Sequence, residues 1–212
     1  MHCRVIPVDE RVLVVPTEDV TSLLGGREGL VSIPFHNVAR VIEKRGRFII
    51  RSVAERDETL RQVIPYMIAT DGTGRVLLMR RTEKQGERRL HGKYSLGIGG
   101  HVNTDDATNP LEAFLRGKGR EFYEEVDADI LEENYLGIIN DPSTEVGRVH
   151  LGVAYLLQLK FRRVVEEDQM ESWWIDVNDL ARYRDALEGW SKVVIPAVKK
   201  LLGHSTNGHS SQ

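Results

Sequence analysis

The chain has 212 residues, 41% of them apolar and 29% charged, with a formal net charge of −3. That length and apolar fraction suit one domain with a sizeable core. The near balance of charge argues against a nucleic-acid groove, so no stable nucleic-acid binding is expected. The single cysteine, Cys3, excludes an intrachain disulfide and fits a reducing compartment. With no run suited to a signal peptide or a membrane span, the expected location is cytoplasmic, with no membrane partner.

In chain order, residues 11–15 read as a strand closed by Pro16, Gly25-Gly26 as a loop, and 47–53 as another short strand. No Ser/Pro/Gly-rich linker follows, so residues 1–60 are expected to be strands and loops packed on a main domain spanning 61–203. Residues 63–81 read as two strands around the turn Asp71-Gly72-Thr73-Gly74, and 96–102 as a third. Pro110 suits a helix start with Asn109 as its cap. Gly117 and Gly119 each cost about 1 kcal/mol against Ala inside a helix, which points instead to a regular helix beginning near Gly119. Its apolar stripe would be Leu111, Leu115, Phe122 and Val126. Residues 150–159 and 173–176 are strand-like, and 191–202 form an apolar-periodic helix ending at Gly203. The small polar tail, 204–212, is expected to be disordered.

The helix after Pro110 carries a chemical oddity. Glu121, Glu124 and Glu125 fall on one flank at about 100° per residue, where like charges repel by roughly 0.2–0.5 kcal/mol per pair. A hard divalent cation, held by a few carboxylates together with substrate phosphates, would remove that repulsion. A solvated acidic face is the competing reading of these residues taken alone.

The wider spacing separates the two. Glu112 is followed by seven residues and then Arg120-Glu121-Phe122-Tyr123-Glu124-Glu125-Val126, with Gly99-Gly100 upstream. This pattern resembles the Nudix box. It departs from the box in two places: the spacer from Gly100 to Glu112 holds eleven residues, six more than the pattern, and Asp127 stands where the box closes on Gly. The resemblance implies an α/β fold, a Nudix-like α/β/α sandwich with a mixed sheet. It implies a hydrolase acting on phosphoanhydride bonds, cleaving a diphosphate linkage in a nucleoside diphosphate-linked or related small molecule with Mg²⁺ or Mn²⁺. Carried over by position, Glu124 and Glu125 are metal ligands and Glu121 a third carboxylate that binds metal or acts as base. Arg120 orients them, with Glu124 as its i, i+4 partner. Glu112 has a supporting role, and the carbonyl of Gly100 or Gly99 is a backbone ligand.

Outside the box, Arg80 and Arg81, with Lys84, follow the second core strand and could meet substrate phosphate. Trp173 and Trp174 alternate faces on a strand, so at most one stacks on a base. Trp190 reads as packing at a helix start. One of Asp141, Glu145, Glu166 or Glu167 could complete the metal site. The alternative function is a catalytically silent Nudix-fold nucleotide-binding or regulatory module, which would usually lose the carboxylates. A prenyl diphosphate isomerase would call for an active-site cysteine, and only Cys3 exists. The turn-rich segment 101–111 is expected to shape substrate access and to contribute little to stability. The edges of the N-terminal strands suggest a homodimer.

Overall fold

Strand β1 (Arg11–Pro16) lies antiparallel to β3 (Arg47–Ile50) and to the start of β4 (Leu60–Thr70), in a computed structural model that describes residues 10–81, 93–165 and 170–203. Between β1 and β3 come α1 (Thr17–Leu24), the short strand β2 (Gly29–Val31) and α2 (Phe35–Arg45). Residues 51–53, expected to extend β3, instead lie in a short helix, α3 (Arg51–Ala54). The N-terminal segment therefore shares the sheet and core of the rest of the chain.

The hairpin around Asp71 forms as expected, with β5 (Arg75–Arg81) following β4. The Asp71 carboxylate accepts from the Thr73 and Arg75 backbone N–H groups at 2.9 and 3.2 Å. The expected strand over 96–102 is largely absent. Two-residue strands β6 (Tyr94–Ser95) and β7 (Gly97–Ile98) form, and the chain then leaves the sheet. Gly99 takes φ +151°, with its α-carbon packed so close to the Pro65 carbonyl that a Cβ would lie 1.9 Å from that oxygen. Only glycine fits there.

Helix α4 (Pro110–Glu125) is followed at once by β8 (Val126–Asn140), a long strand with three register shifts against β9 (His150–Val164). A short helix, α5 (Glu145–Val149), links them. β9 pairs in parallel with β4, from Gln62–His150 to Thr70–Gln158, at the centre of the sheet. β10 (Met170–Asp176) pairs with β5, a 3₁₀ turn follows over Val177–Tyr183, and α6 (Gly189–Leu202) closes the fold. The main strand order is β10-β5-β4-β9-β8-β2.

Helices cover both faces. α1, α2 and α4 pack Leu24, Val38, Ile42, Phe114 and Phe122 against Met67, Leu77, Val153 and Tyr155. On the other face Val194, Val198 and Leu202 of α6 meet Ile68, Leu78 and Leu156. All of β4 is buried, the pattern of a strand covered on both sides. The architecture is the α/β/α sandwich with a mixed sheet expected from the sequence.

Candidate active site

Helix α4 begins at Pro110, not near Gly119: the Asn109 side chain accepts from the Leu111 and Glu112 N–H groups, both at 3.0 Å. Gly117 is tolerated because the loop packs on it. A Cβ there would meet Asp106 Oδ2 at 2.7 Å and Val102 Cγ2 at 3.1 Å. The buried face is Ala113, Phe114, Gly117, Glu121 and Phe122, while Leu115 is 47% exposed. Of the expected stripe, Phe122 and Val126 are buried and Leu111 packs against the core; only Leu115 turns outward, and Gly117 and Glu121, which carry no apolar signal, join the buried face. The helix ends at Glu125, and Asp127 lies in β8, where its carboxylate pairs with Arg162 at 2.7 Å. No left-handed residue is needed at this junction, which accounts for the missing Gly.

Arg120 is the hub of the site. It forms a fork to Asp106, Nε to Oδ1 at 2.7 Å and Nη2 to Oδ2 at 3.0 Å. It also donates from Nη1 to Glu121 at 2.7 Å and to Glu124 at 3.3 Å, and from Nη2 to the His101 carbonyl at 2.9 Å. The guanidinium is held firmly in its charged form, chiefly by the hydrogen bond to Asp106 and further by Glu121. The fork orients the helix and the preceding loop as one unit.

Glu121 is buried, and Glu124 and Glu125 are half-buried beside it. The backbone of Gly100 lies against the Glu121 carboxylate, and a Cβ at Gly100 would come within 2.4 Å of Oε2. The structure thus brings Gly100, Arg120, Glu121 and Glu124 together. Mg²⁺ binds through one or two carboxylates, keeps waters and shares substrate phosphates. The donors here are all oxygen, the set a hard cation prefers.

Sequence reading missed Asp106. Its side chain is only 2% exposed. It sits in a polar, turn-like segment, and the only sequence signal was a carboxylate within the lengthened spacer. That segment is not a loosely attached loop: Leu13 N–H donates to the Val102 carbonyl at 2.8 Å, Val102 is fully buried, and Asn103 N–H donates to Asp106 at 3.0 Å. This packing argues against the expectation that it contributes little to stability.

Arg80 is not brought to the carboxylates. It shares the α6 face of β5 with Leu78, pairs with Glu171 (Nε to Oε2, 2.8 Å), and lies 5.8 Å from the ring centroids of both Tyr94 and Trp173. Trp173 is exposed and Trp174 packs in the core against Phe161, so the adjacent tryptophans do take opposite faces. Trp190 packs edge-on against Tyr66, at the start of α6. Glu145 lies in the first turn of α5 and lines a cleft with Glu55, Arg56, Glu58, Arg148 and Val149. The Arg81 side chain lies outside the described residues, as do Cys3, Lys84, Glu166, Glu167 and the tail 204–212.

No family model matches the chain. It is 34% identical over 204 residues to protein YmaB of Bacillus subtilis (strain 168), covering 89% of this chain and 97% of that protein. The structure of Tm1382, described as a candidate Nudix hydrolase, matches with a TM-score of 0.82 and 43% identity, over 91% of this chain and all of that one. DR0079 from Deinococcus radiodurans, at 16% identity and a TM-score of 0.51 over 81% of this chain and 98% of that one, shares the fold. With the box residues assembled around Arg120 and a relative of this similarity along its whole length, the chain belongs to the Nudix hydrolases, enzymes that act on phosphoanhydride bonds.

Proposed function

We propose that the chain hydrolyses a diphosphate linkage in a nucleoside diphosphate-linked or related small molecule, with Mg²⁺ or Mn²⁺ held by Glu124 and Glu125, by Glu121 and by the Gly100 carbonyl. The observation that carries this reading is the Arg120 hub, which holds Glu121 and Glu124 together, with Glu121 against the Gly100 backbone. A bound divalent cation would neutralise phosphoryl charge and lower the pKa of an attacking water. Arg120 keeps the carboxylates from repelling one another before metal and substrate arrive. Glu121, buried and fixed against Gly100, is placed either to complete the ligand set or to take a proton from water. Glu124 and Glu125 are less buried than Glu121 and more open to solvent. The carboxylates that a silent module would usually lose are all present.

Of the two arginines ending β5, Arg81 is the one we assign to substrate phosphate, since Glu171 already engages Arg80. The same reading takes residues 61–203 as the catalytic unit and 1–60 as its packed extension. It includes a homodimer over the outer edge of β3, which among the described residues pairs with β1 alone. A cytoplasmic location fits the single cysteine. No helix among the described residues is long and apolar enough to cross a membrane.

The test is a panel of nucleoside triphosphates, dinucleotide polyphosphates and nucleotide sugars, with Mg²⁺ or Mn²⁺ and identification of products. Cleavage at a phosphoanhydride bond, abolished by excess EDTA and restored by Mg²⁺ or Mn²⁺, is expected. Full activity in EDTA would overturn the metal assignment.

A further inference from the structure

Three side chains from separate parts of the chain meet beside the carboxylate site. They are Glu55, just after α3, His101, just after Gly100, and His150, at the start of β9. The Nε2 atoms of the two histidines are 3.4 Å apart. Glu55 Oε1 lies 3.9 Å from His101 Nε2 and 4.0 Å from His150 Nε2.

Two arrangements fit such a cluster. One is a self-satisfied polar pair, with one imidazole N–H donating to the other. The other is a set of ligands. Tetrahedral zinc with bonds of about 2.0–2.1 Å has ligand atoms roughly 3.4 Å apart. The imidazole nitrogens already stand at that separation. The Glu55 carboxylate is a little farther out, on a partly exposed side chain that can close the gap.

The surroundings support the ligand reading. His150 Nδ1 lies 2.8 Å from the Val146 carbonyl. Donating a proton there leaves the lone pair on Nε2, facing the cluster, and a metal-ligating histidine almost always makes such a hydrogen bond from its other nitrogen. A cleft of about 230 Å³, lined by Glu55, Arg56, Glu58, Glu145, Arg148 and Val149, opens beside the cluster. It reaches the cluster at Glu55 and has room for water beside that carboxylate. Arg51 opposes a cation here, with Nε 3.6 Å from Glu55 Oε1, but Glu10 pairs with the same arginine at 3.1 Å and offsets its charge.

We propose that Glu55, His101 and His150 form a site for Zn²⁺ or a transition-metal ion of similar preference, distinct from the oxygen donors of the Nudix box, which clips the segment after α3 to the catalytic core. Imidazole favours such ions, whereas carboxylate, carbonyl and water favour Mg²⁺. The two neighbouring sites would therefore take different metals. An ion bound only by the folded chain also stabilises it by mass action.

The experiment titrates EDTA-stripped, desalted protein with Co²⁺, following visible absorption, and with Zn²⁺, following the melting temperature. One equivalent of Co²⁺ is expected to give the intense band of a low-coordinate site, and Zn²⁺ to raise the melting temperature. Both signals should persist in a Glu124→Gln, Glu125→Gln double variant, which separates this site from the box. Glu55→Gln and His150→Gln should each weaken binding by more than the roughly 10–100-fold that follows from losing a hydrogen bond behind a ligand. Should His150→Gln fail to fold, Glu55→Gln, at a partly exposed position, still decides. A missing band overturns the proposal. So does a band unaffected by Glu55→Gln, as binding at the terminal histidines His2, His204 or His209 would give, or one lost with the box substitutions.

Discussion

Arg120 holds the site together because one planar guanidinium can satisfy three carboxylates and a carbonyl at once, which a lysine ammonium could not do in the same geometry. The partner that matters most is Asp106, buried and forked to it. Asp106→Asn keeps the shape but removes the charge. It is expected to lower stability by about 1.5–3 kcal/mol, the range for a hydrogen bond to a charged group, and to lower kcat as the carboxylates lose their anchor. Urea unfolding and steady-state kinetics check this, and an unchanged midpoint would show the fork to be dispensable. Glu125 is a different kind of residue, half-buried at the end of α4. Glu125→Gln is expected to cut kcat by roughly 10²-fold or more, the scale of losing a key electrostatic group. The melting temperature should hardly move or should rise, because active-site charge is held at a cost in stability. A sharp fall in melting temperature with kcat unchanged would make Glu125 a structural residue.

Among the elements, α4 and the segment before it behave as one body. Gly117 and Gly119 lie two positions apart in the same helix and differ only in what surrounds them. A Cβ at Gly119 meets nothing within 4 Å, whereas one at Gly117 strikes Asp106, itself pinned by Arg120 and Asn103. Gly119→Ala should therefore stabilise by about 0.5–1 kcal/mol, the helix-propensity gain. Gly117→Ala should destabilise despite the same gain. Equal effects at the two positions, measured by chemical denaturation, would mean that the loop gives way freely. Deleting 102–107 removes the buried Val102, its hydrogen bond to Leu13 and the Asp106 fork together. It is expected to cost more than ~3 kcal/mol, well beyond an ordinary surface change.

For the molecule as a whole, the N-terminal segment closes the fold. β1 extends the sheet at the start of β4, while α1 and α2 cover the face on which α4 sits. β3 at the margin pairs only with β1 among the described residues, and an open strand edge invites a second chain. Light scattering at micromolar concentration is expected to give twice the 24.1 kDa mass of one chain. The monomer mass throughout would remove the dimer.

What the sequence determined by itself was local and repetitive. The Asp71 hairpin, the Asn109-Pro110 helix start, the strand character of β9 and β10 and the spacing of Glu112, Arg120, Glu121, Glu124 and Glu125 are all set by neighbours a few residues apart, so they were legible in one dimension. The rest depended on contacts between distant residues. β8 was hidden because its solvent face is charged and its register shifts three times. Leu115 was misplaced on the buried face of α4, because that face takes in a glycine and a glutamate instead. Gly100 meets Glu121 across 21 positions and Asp106 meets Arg120 across 14. Glu55, His101 and His150 become neighbours only after β1 and β9 have flanked β4. Charge pairing and close backbone approach depend on separation in space, and folding sets that separation.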